Sequence, residues 1–212
     1  MQSFYTFSSL SICYRALFLI SAAFLKLFAT ADIEDVKTKL FFPSSLSFHQ
    51  NEQSIDLELT GVTTREKLIV KVYSIAHYWQ KPTVGSEGVV IKALFDDDTR
   101  TKEFMIQWVR NVSLKKVRES FYESFHEVLS RPQKNHLHPQ IDHFLSLYDS
   151  DVEVNDKHLI RWEAGGKIQL VINDKLKGEI NDLPFAKALW EIWLGDKCVV
   201  NRKELLSKIV TP

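Results

Sequence analysis

The longest alternation of apolar and polar residues in the chain lies between Gly61 and Trp79. From Leu68 onward the even positions are apolar almost throughout, whereas the odd positions mix charged, aromatic and aliphatic side chains. A period of two predicts a β-strand, and seven of these twelve residues are β-branched or aromatic, which favours the same structure. We therefore predict one strand over 68–79 that packs its even face against the core.

Shorter stretches extend this pattern to the rest of the chain. Alternation predicts further strands near 46–49, 55–59, 103–110, 157–163, 167–173 and 176–180. Helical spacing predicts helices over 89–95, over 114–130 with Ser113 as the N-cap, after Pro139, between Asp182 and Gly195, and over 203–210. Strands, helices, strands and helices in that order are typical of an α+β fold. We expect an open-faced β-sandwich, in which an antiparallel sheet carries a layer of helices on one face.

The first 31 residues differ from the rest in composition. They contain no acidic residue, carry Arg15 and Lys26 as their only charges, and include an apolar run over 16–25. Small residues at Ala29 and Ala31 complete the pattern of a secretory signal peptide cleaved before Asp32. An uncleaved anchor is the alternative, but the run is shorter than the roughly 20 apolar residues of a spanning helix. We predict a signal peptide over 1–31, a single domain over 32–212 without a membrane span, and a periplasmic or secreted location.

Charge and cysteine content narrow the function classes. Loss of Arg15 and Lys26 from a chain with 27 basic and 27 acidic residues leaves a small net negative charge, so we expect no nucleic-acid partner. Cys198 is the only cysteine outside the signal sequence and cannot form an internal disulfide. His136 and His138 lie just before Pro139 in a predicted loop, without acidic or cysteine residues at ligand spacing. We predict neither a metal site nor a cofactor.

Two blocks of residues resemble the chalcone isomerase-like superfamily. The first is Gly61-x-Thr63-x-Arg65, followed by Lys71-Val72-Tyr73 and Tyr78, and the second is Gly165-Gly166-Lys167 followed by the helix 185–195 with its Trp-Leu-Gly ending. The similarity covers roughly 48–210, and the helix ending is most similar to the secreted bacterial branch. The superfamily also includes plant flavonoid enzymes and plastid fatty-acid-binding proteins. The resemblance implies the same open-faced sandwich.

The resemblance also implies four candidate ligand-binding residues. Arg65 occupies the place of the arginine that binds an anionic oxygen of the ligand, a role that suits a guanidinium group. Tyr73 stands where the fatty-acid binders have a tyrosine at the carboxylate. The catalytic tyrosine of the plant enzymes falls at about Ser113, and a hydroxyl residue of their pocket falls at about Ile192. We therefore predict no catalytic residue.

Arg65 and Tyr73 can share one ligand only under a geometric condition. Eight residues separate them, which is about 26 Å along a straight strand. The chain must therefore bend or fold back between them. An ordinary surface position for Arg65, beside Glu66 in a turn, is the alternative.

We expect a non-catalytic exported binding protein that holds a fatty acid or a similar small amphipathic carboxylate. One alternative is an intramolecular lyase of the chalcone isomerase type, or another isomerase that uses Tyr73 as a proton donor. A second alternative is a structural or partner-binding protein whose pocket is filled by its own side chains. Trp190 and Trp193 fit either a filled core or a pocket lining.

Overall fold

The computed structural model describes residues 32–50 and 53–211. The predicted signal peptide over 1–31 lies outside the described residues, so cleavage and export stay predictions. In the part of the chain that the structure describes, no helix has the length and apolarity needed to cross a membrane.

The described residues form a two-stranded and a seven-stranded sheet. The strands are β1 Ile33–Glu34, β2 Phe41–Phe42, β3 Ser45–Gln50, β4 Gln53–Lys67, β5 Val70–Trp79, β6 Lys102–Trp108, β7 Lys157–Glu163, β8 Lys167–Ile172 and β9 Lys175–Asn181. β1 pairs with β2, and β3 to β9 follow one another across the large sheet, each pair antiparallel. The helices are α1 Glu87–Asp96, α2 Leu114–Val128, α3 Arg131–Ser146, α4 Leu183–Leu194 and α5 Arg202–Leu205.

All five helices contribute to one hydrophobic core on one face of the large sheet. α4 is buried almost all round, and Asp182 caps it by accepting the Phe185 N–H at 2.8 Å. A smaller cluster on the opposite face contains Phe42, Leu57 and Tyr78. The predicted antiparallel sheet with helices on one face is therefore confirmed.

Two details predicted for the strand over 68–79 are wrong. The strand begins at Val70, because Leu68 and Ile69 form the turn between β4 and β5. From Tyr73 onward the odd positions of β5, among them Tyr73, Ile75 and Trp79, face the helices, whereas Ala76 and Tyr78 belong to the smaller cluster. Both faces of β5 are covered by other parts of the protein, so the apolar residues of the strand did not show which face lies against the helices.

Gly61 lies within β4, beside a small irregularity of the strand pairing. A Cβ at this position would overlap the backbone carbonyl of Glu204 and the backbone of Leu205 in α5. Thr60 fixes the same contact by donating from Oγ1 to the Leu205 carbonyl at 2.9 Å. The glycine therefore permits α5 to approach the sheet.

Helix ends also differ from the expectation in three places. α3 begins at Arg131 and continues through Pro139, so His136 and His138 lie on a helix rather than in a loop. Gly195 directly follows α4 with a φ of −75°, although a glycine at the end of a helix is typical of a left-handed conformation. α5 ends at Leu205, well before residue 210.

Candidate functional site

A cavity of about 290 Å³ lies between the large sheet and helices α2 and α4. Its interior wall is formed by buried, mostly aromatic or branched side chains: Tyr73, Ile106, Trp108, Val117, Phe121, Ile192 and Trp193. Its outer part is lined by exposed or half-buried polar residues of α2 and by Lys67 at the end of β4. The cavity is therefore apolar inside and polar at its mouth, which is the usual character of a small-molecule site.

Arg65 and Tyr73 lie side by side in this wall. The turn at Leu68 and Ile69 folds β5 back along β4, and Arg65 and Tyr73 are direct partners across the two strands. Opposite residues in an antiparallel pair have Cβ atoms about 4.5–5.5 Å apart. The condition for a shared site is thus met, because the chain reverses between the two residues.

The Arg65 guanidinium is held by main-chain carbonyls. Its Nη1 donates to the carbonyl of Val199 at 2.5 Å and to that of Glu66 at 3.2 Å. Among the described residues, no carboxylate forms an ion pair with Arg65, and its Nε and Nη2 have no hydrogen-bond acceptor. The half-buried cation therefore retains donors and charge for a ligand in the cavity.

The Tyr73 hydroxyl is oriented by α4. Trp193 donates from Nε1 to Tyr73 Oη at 2.9 Å, and the Tyr73 ring packs edge-on against Trp108 with centroids 5.1 Å apart. Burial raises the pKa of Tyr73 above its ordinary value, although the Trp193 N–H and the Arg65 charge offset part of the rise. The phenol is therefore neutral at pH 7, and its O–H has no protein acceptor among the described residues.

The other two predicted residues have different positions. Ile192 is buried in α4 and lines the cavity beside Trp193. Ser113 does not line the cavity, but an adjoining surface groove, and its Oγ accepts the Lys116 backbone N–H at 3.4 Å as the N-cap of α2. The structure thus brings Arg65, Tyr73 and Ile192 together, and it leaves Ser113 outside the group.

Charged residues at the mouth partly neutralise one another. Lys67 Nζ lies 3.8 Å from a carboxylate oxygen of Glu123, and both side chains are about two-thirds exposed. Glu127 is also exposed at this edge. Arg65 is the only cation of the described lining that reaches the inner wall, since the remaining inner residues are uncharged.

A family model described as chalcone isomerase-like matches residues 42–207. The chain belongs to the chalcone isomerase-like family. Every residue that lines the cavity falls within the matched range.

A solved structure supports this family fold. The chalcone isomerase-like chain is similar to a fatty-acid-binding protein of Arabidopsis thaliana, with a TM-score of 0.69 and 16% sequence identity, over 84% of this chain and 97% of the other. At this identity the likeness concerns the fold. No curated protein sequence matches the chain.

Several cavity residues of this chalcone isomerase-like protein belong to no sequence motif that would have marked them as cavity residues. Ile106, Trp108, Val117 and Phe121 could be predicted only as apolar faces of a strand and a helix. Trp193, for which core and pocket were both open, is buried and also lines the cavity, whereas Trp190 lies in the core and donates to His77 Nε2 at 3.3 Å.

The chemistry available in the cavity is limited. Its described inner wall offers one guanidinium and one neutral phenol, and the carboxylates of the lining lie at the exposed mouth. Within 32–50 and 53–211, no three histidine, cysteine or acidic side chains come together as a metal site would require. The arrangement is suited to hold an anionic head group and an apolar body.

Proposed function

We propose that the protein binds a fatty acid or a similar small amphipathic carboxylate in this cavity. The carboxylate accepts hydrogen bonds from Arg65 and from the Tyr73 hydroxyl, and the acyl chain packs against the aromatic wall. The observation that carries the proposal is the position of Arg65: a guanidinium without an ion-pair partner among the described residues, at the wall of an apolar cavity. Bidentate binding of carboxylates is the geometry to which a guanidinium is best adapted.

The magnitudes assign different roles to the two parts of the ligand. A hydrogen bond to a charged group contributes about 1.5–3 kcal/mol, and each buried methylene contributes about 0.8 kcal/mol. Four methylenes therefore equal or exceed the arginine contact. The acyl chain sets the affinity, and Arg65 sets the orientation. A cavity of about 290 Å³ is near the lower end of the usual range for ligand pockets, which favours a chain of medium length.

The family and its structural relative support this proposal independently of the cavity geometry. The Arabidopsis structure of the same fold is a fatty-acid-binding protein. The sequence of residues 1–31 supports export of the binding protein, and N-terminal sequencing of the purified protein, which should begin at Asp32, checks that part. The intramolecular lyase alternative is less supported, because the described inner wall pairs Tyr73 with no carboxylate or imidazole that could act as a base.

Calorimetric titration with laurate and with dodecanol separates the two contributions. We expect the Arg65→Ala variant to bind laurate about 10- to 100-fold more weakly, as a charged hydrogen bond of this size predicts. Its affinity for dodecanol should change by less than about threefold, because the alcohol carries no charge. Each methylene removed from the fatty acid should weaken binding by about fourfold.

Lys67→Ala is the matched control. It removes a cation from the mouth of the same cavity, where the side chain is 67% exposed and already near Glu123. We expect little change in laurate affinity. Equal laurate binding by the wild-type protein and a folded Arg65→Ala variant would contradict the proposed role of the arginine.

A further inference from the structure

The turn between β4 and β5 exposes two large apolar side chains. Leu68 is 95% exposed and Ile69 is 94% exposed, more than any other large hydrophobic residue that the structure describes. Leu68 has a φ of 60°, in the left-handed region that glycine, asparagine and aspartate adopt most easily. A polar or glycine residue would suit this turn better in both conformation and solvation. The stability of the fold therefore gives no reason for an apolar pair at this tip.

A basic groove of about 370 Å³ runs from this turn to the first residues of α2. Its charged residues are Lys67, Arg110 and Lys116, and the described lining contains no carboxylate. Two of these three cations are paired with acids of α2: Lys67 Nζ lies 3.8 Å from a carboxylate oxygen of Glu123, and Lys116 Nζ lies 2.7 Å from one of Glu119. Arg110 is exposed and has no ion pair among the described residues.

The groove and the cavity share part of their lining. Lys67, Val72, Val112 and Ser120 belong to both. The exposed apolar tip, the basic groove and the mouth of the cavity therefore form one continuous surface on one side of the molecule.

We propose that this surface docks on an anionic lipid bilayer. Leu68 and Ile69 insert among the acyl chains, while Lys67, Arg110 and Lys116 lie at the level of the phosphate groups. Cations that flank an apolar tip match the layered chemistry of such a membrane, with negative charge outside and hydrocarbon beneath it. A basic side chain that is not paired with a carboxylate strengthens binding to an anionic surface by about fivefold, which applies here to Arg110. The docking does not depend on what the cavity holds, although it would place the cavity mouth against the bilayer.

Flotation of the purified protein with vesicles tests the proposal. We expect binding to vesicles of equal parts phosphatidylcholine and phosphatidylglycerol, weaker binding in 0.5 M NaCl, and no binding to phosphatidylcholine alone. In the Leu68→Asn/Ile69→Ser variant, binding should fall at least tenfold, because the burial of two large aliphatic side chains is lost. Asparagine accepts a positive φ, so this variant keeps the turn.

Leu176→Ser is the matched control, because this leucine is 57% exposed on β9, in another hairpin. It should bind vesicles as the wild-type protein does.

Unchanged binding by the Leu68→Asn/Ile69→Ser variant, or no binding of the wild-type protein to anionic vesicles, would overturn the proposal. A dimer of the wild-type protein that the variant cannot form, without vesicle binding, would also overturn it and assign the tip to a second copy. Laurate affinity of the variant, measured in the absence of vesicles, should be unchanged, which keeps this test separate from that of the cavity.

Discussion

The hydroxyl group of Tyr73 has a structural contact as well as its proposed contact with the ligand. Its oxygen accepts the N–H of Trp193, a residue that is 1% exposed. The Tyr73→Phe variant leaves this N–H buried without an acceptor, which costs about 1–3 kcal/mol. We therefore expect the free energy of unfolding, measured in urea, to fall by that amount.

Tyr122→Phe provides the comparison for this substitution. Tyr122 is 44% exposed on α2, so the same loss of a hydroxyl should change the free energy of unfolding by less than about 0.5 kcal/mol. If the Tyr73 and Tyr122 variants were equally stable, the Trp193 contact would contribute nothing to the fold.

Part of the candidate site could be predicted from the sequence, because the residue types at some of its positions match a family motif. The motif around Arg65 and Tyr73 marked both residues, and the reversal of the chain then placed them together. The carbonyl of Val199, which holds Arg65 from 134 residues away, could not be predicted, because a main-chain atom has no residue-type signature. Ser113 could be aligned with a pocket position, but its side chain caps α2 instead.

Among the secondary-structure elements, α3 shows how a single residue, Pro139, led to a wrong prediction of where a helix begins. Pro139 lies in the middle of this helix, where it cannot donate to the carbonyl of Asn135. Proline is common in the first turn of helices, so the sequence predicted that the helix starts after Pro139. The actual start is at Arg131, where Gln133 Oε1 accepts the Ser130 N–H at 2.9 Å and Pro132 occupies the first turn.

Removal of the interior proline should stabilise the protein. Pro139→Ala restores a helical N–H and relieves the clash of the ring, while the unfolded chain gains freedom. The balance should raise the free energy of unfolding by about 2–3 kcal/mol, since alanine is favoured by about 3 kcal/mol in a helix interior and the unfolded state recovers up to about 1 kcal/mol. Urea denaturation measures the change.

The matched substitution is Pro132→Ala in the same helix. Proline in the first turn loses no intrahelical hydrogen bond, so this change should bring no gain in stability. A gain of the same size from both substitutions would contradict the assignment of the effect to the missing hydrogen bond and the ring clash at Pro139.

For the whole molecule, the order of strands and helices in the sequence predicted a sheet with helices on one face. It did not predict that the opposite face of the sheet is also covered. The segment after residue 32 has the composition of a charged leader, yet it forms β1 and β2 against the sheet. Asp35, only 4% exposed, holds it there by accepting hydrogen bonds from Thr64 at 2.6 Å and Ser74 at 2.5 Å. A buried aspartate with hydroxyl partners from two distant strands has no local sequence pattern.

Two buried histidines link the stability of the whole fold to pH. His77 accepts from Trp190 at Nε2 and lies 2.7 Å from Thr60 Oγ1 through Nδ1, and burial, with a smaller effect of Lys102, lowers its pKa to about 3. His158 accepts from Trp108 Nε1 at 3.1 Å, and burial lowers its pKa to about 4. Both side chains are therefore neutral in the fold throughout the mildly acidic range.

The consequence is a loss of stability as the pH falls below about 6.5. In that range the unfolded chain binds a proton at each histidine and the folded protein does not, so the free energy of unfolding decreases by about 1.4 kcal/mol per pH unit for each residue. Their contribution is complete above pH 6.5 and is lost as the pH falls toward the folded values. Burial raises the pKa of Glu103, which gives the opposite slope just above the ordinary carboxyl range. The effect of the two histidines on the free energy of unfolding is therefore best measured between pH 7 and pH 5.

Urea unfolding at pH 7, 6 and 5 should give a free energy that falls by about 2–4 kcal/mol across the series. A free energy that stays constant between pH 7 and pH 5 would mean that His77 and His158 accept protons within the fold. It would then contradict the tautomer assigned to His77, whose Nε2 must lack a proton to accept the Trp190 N–H.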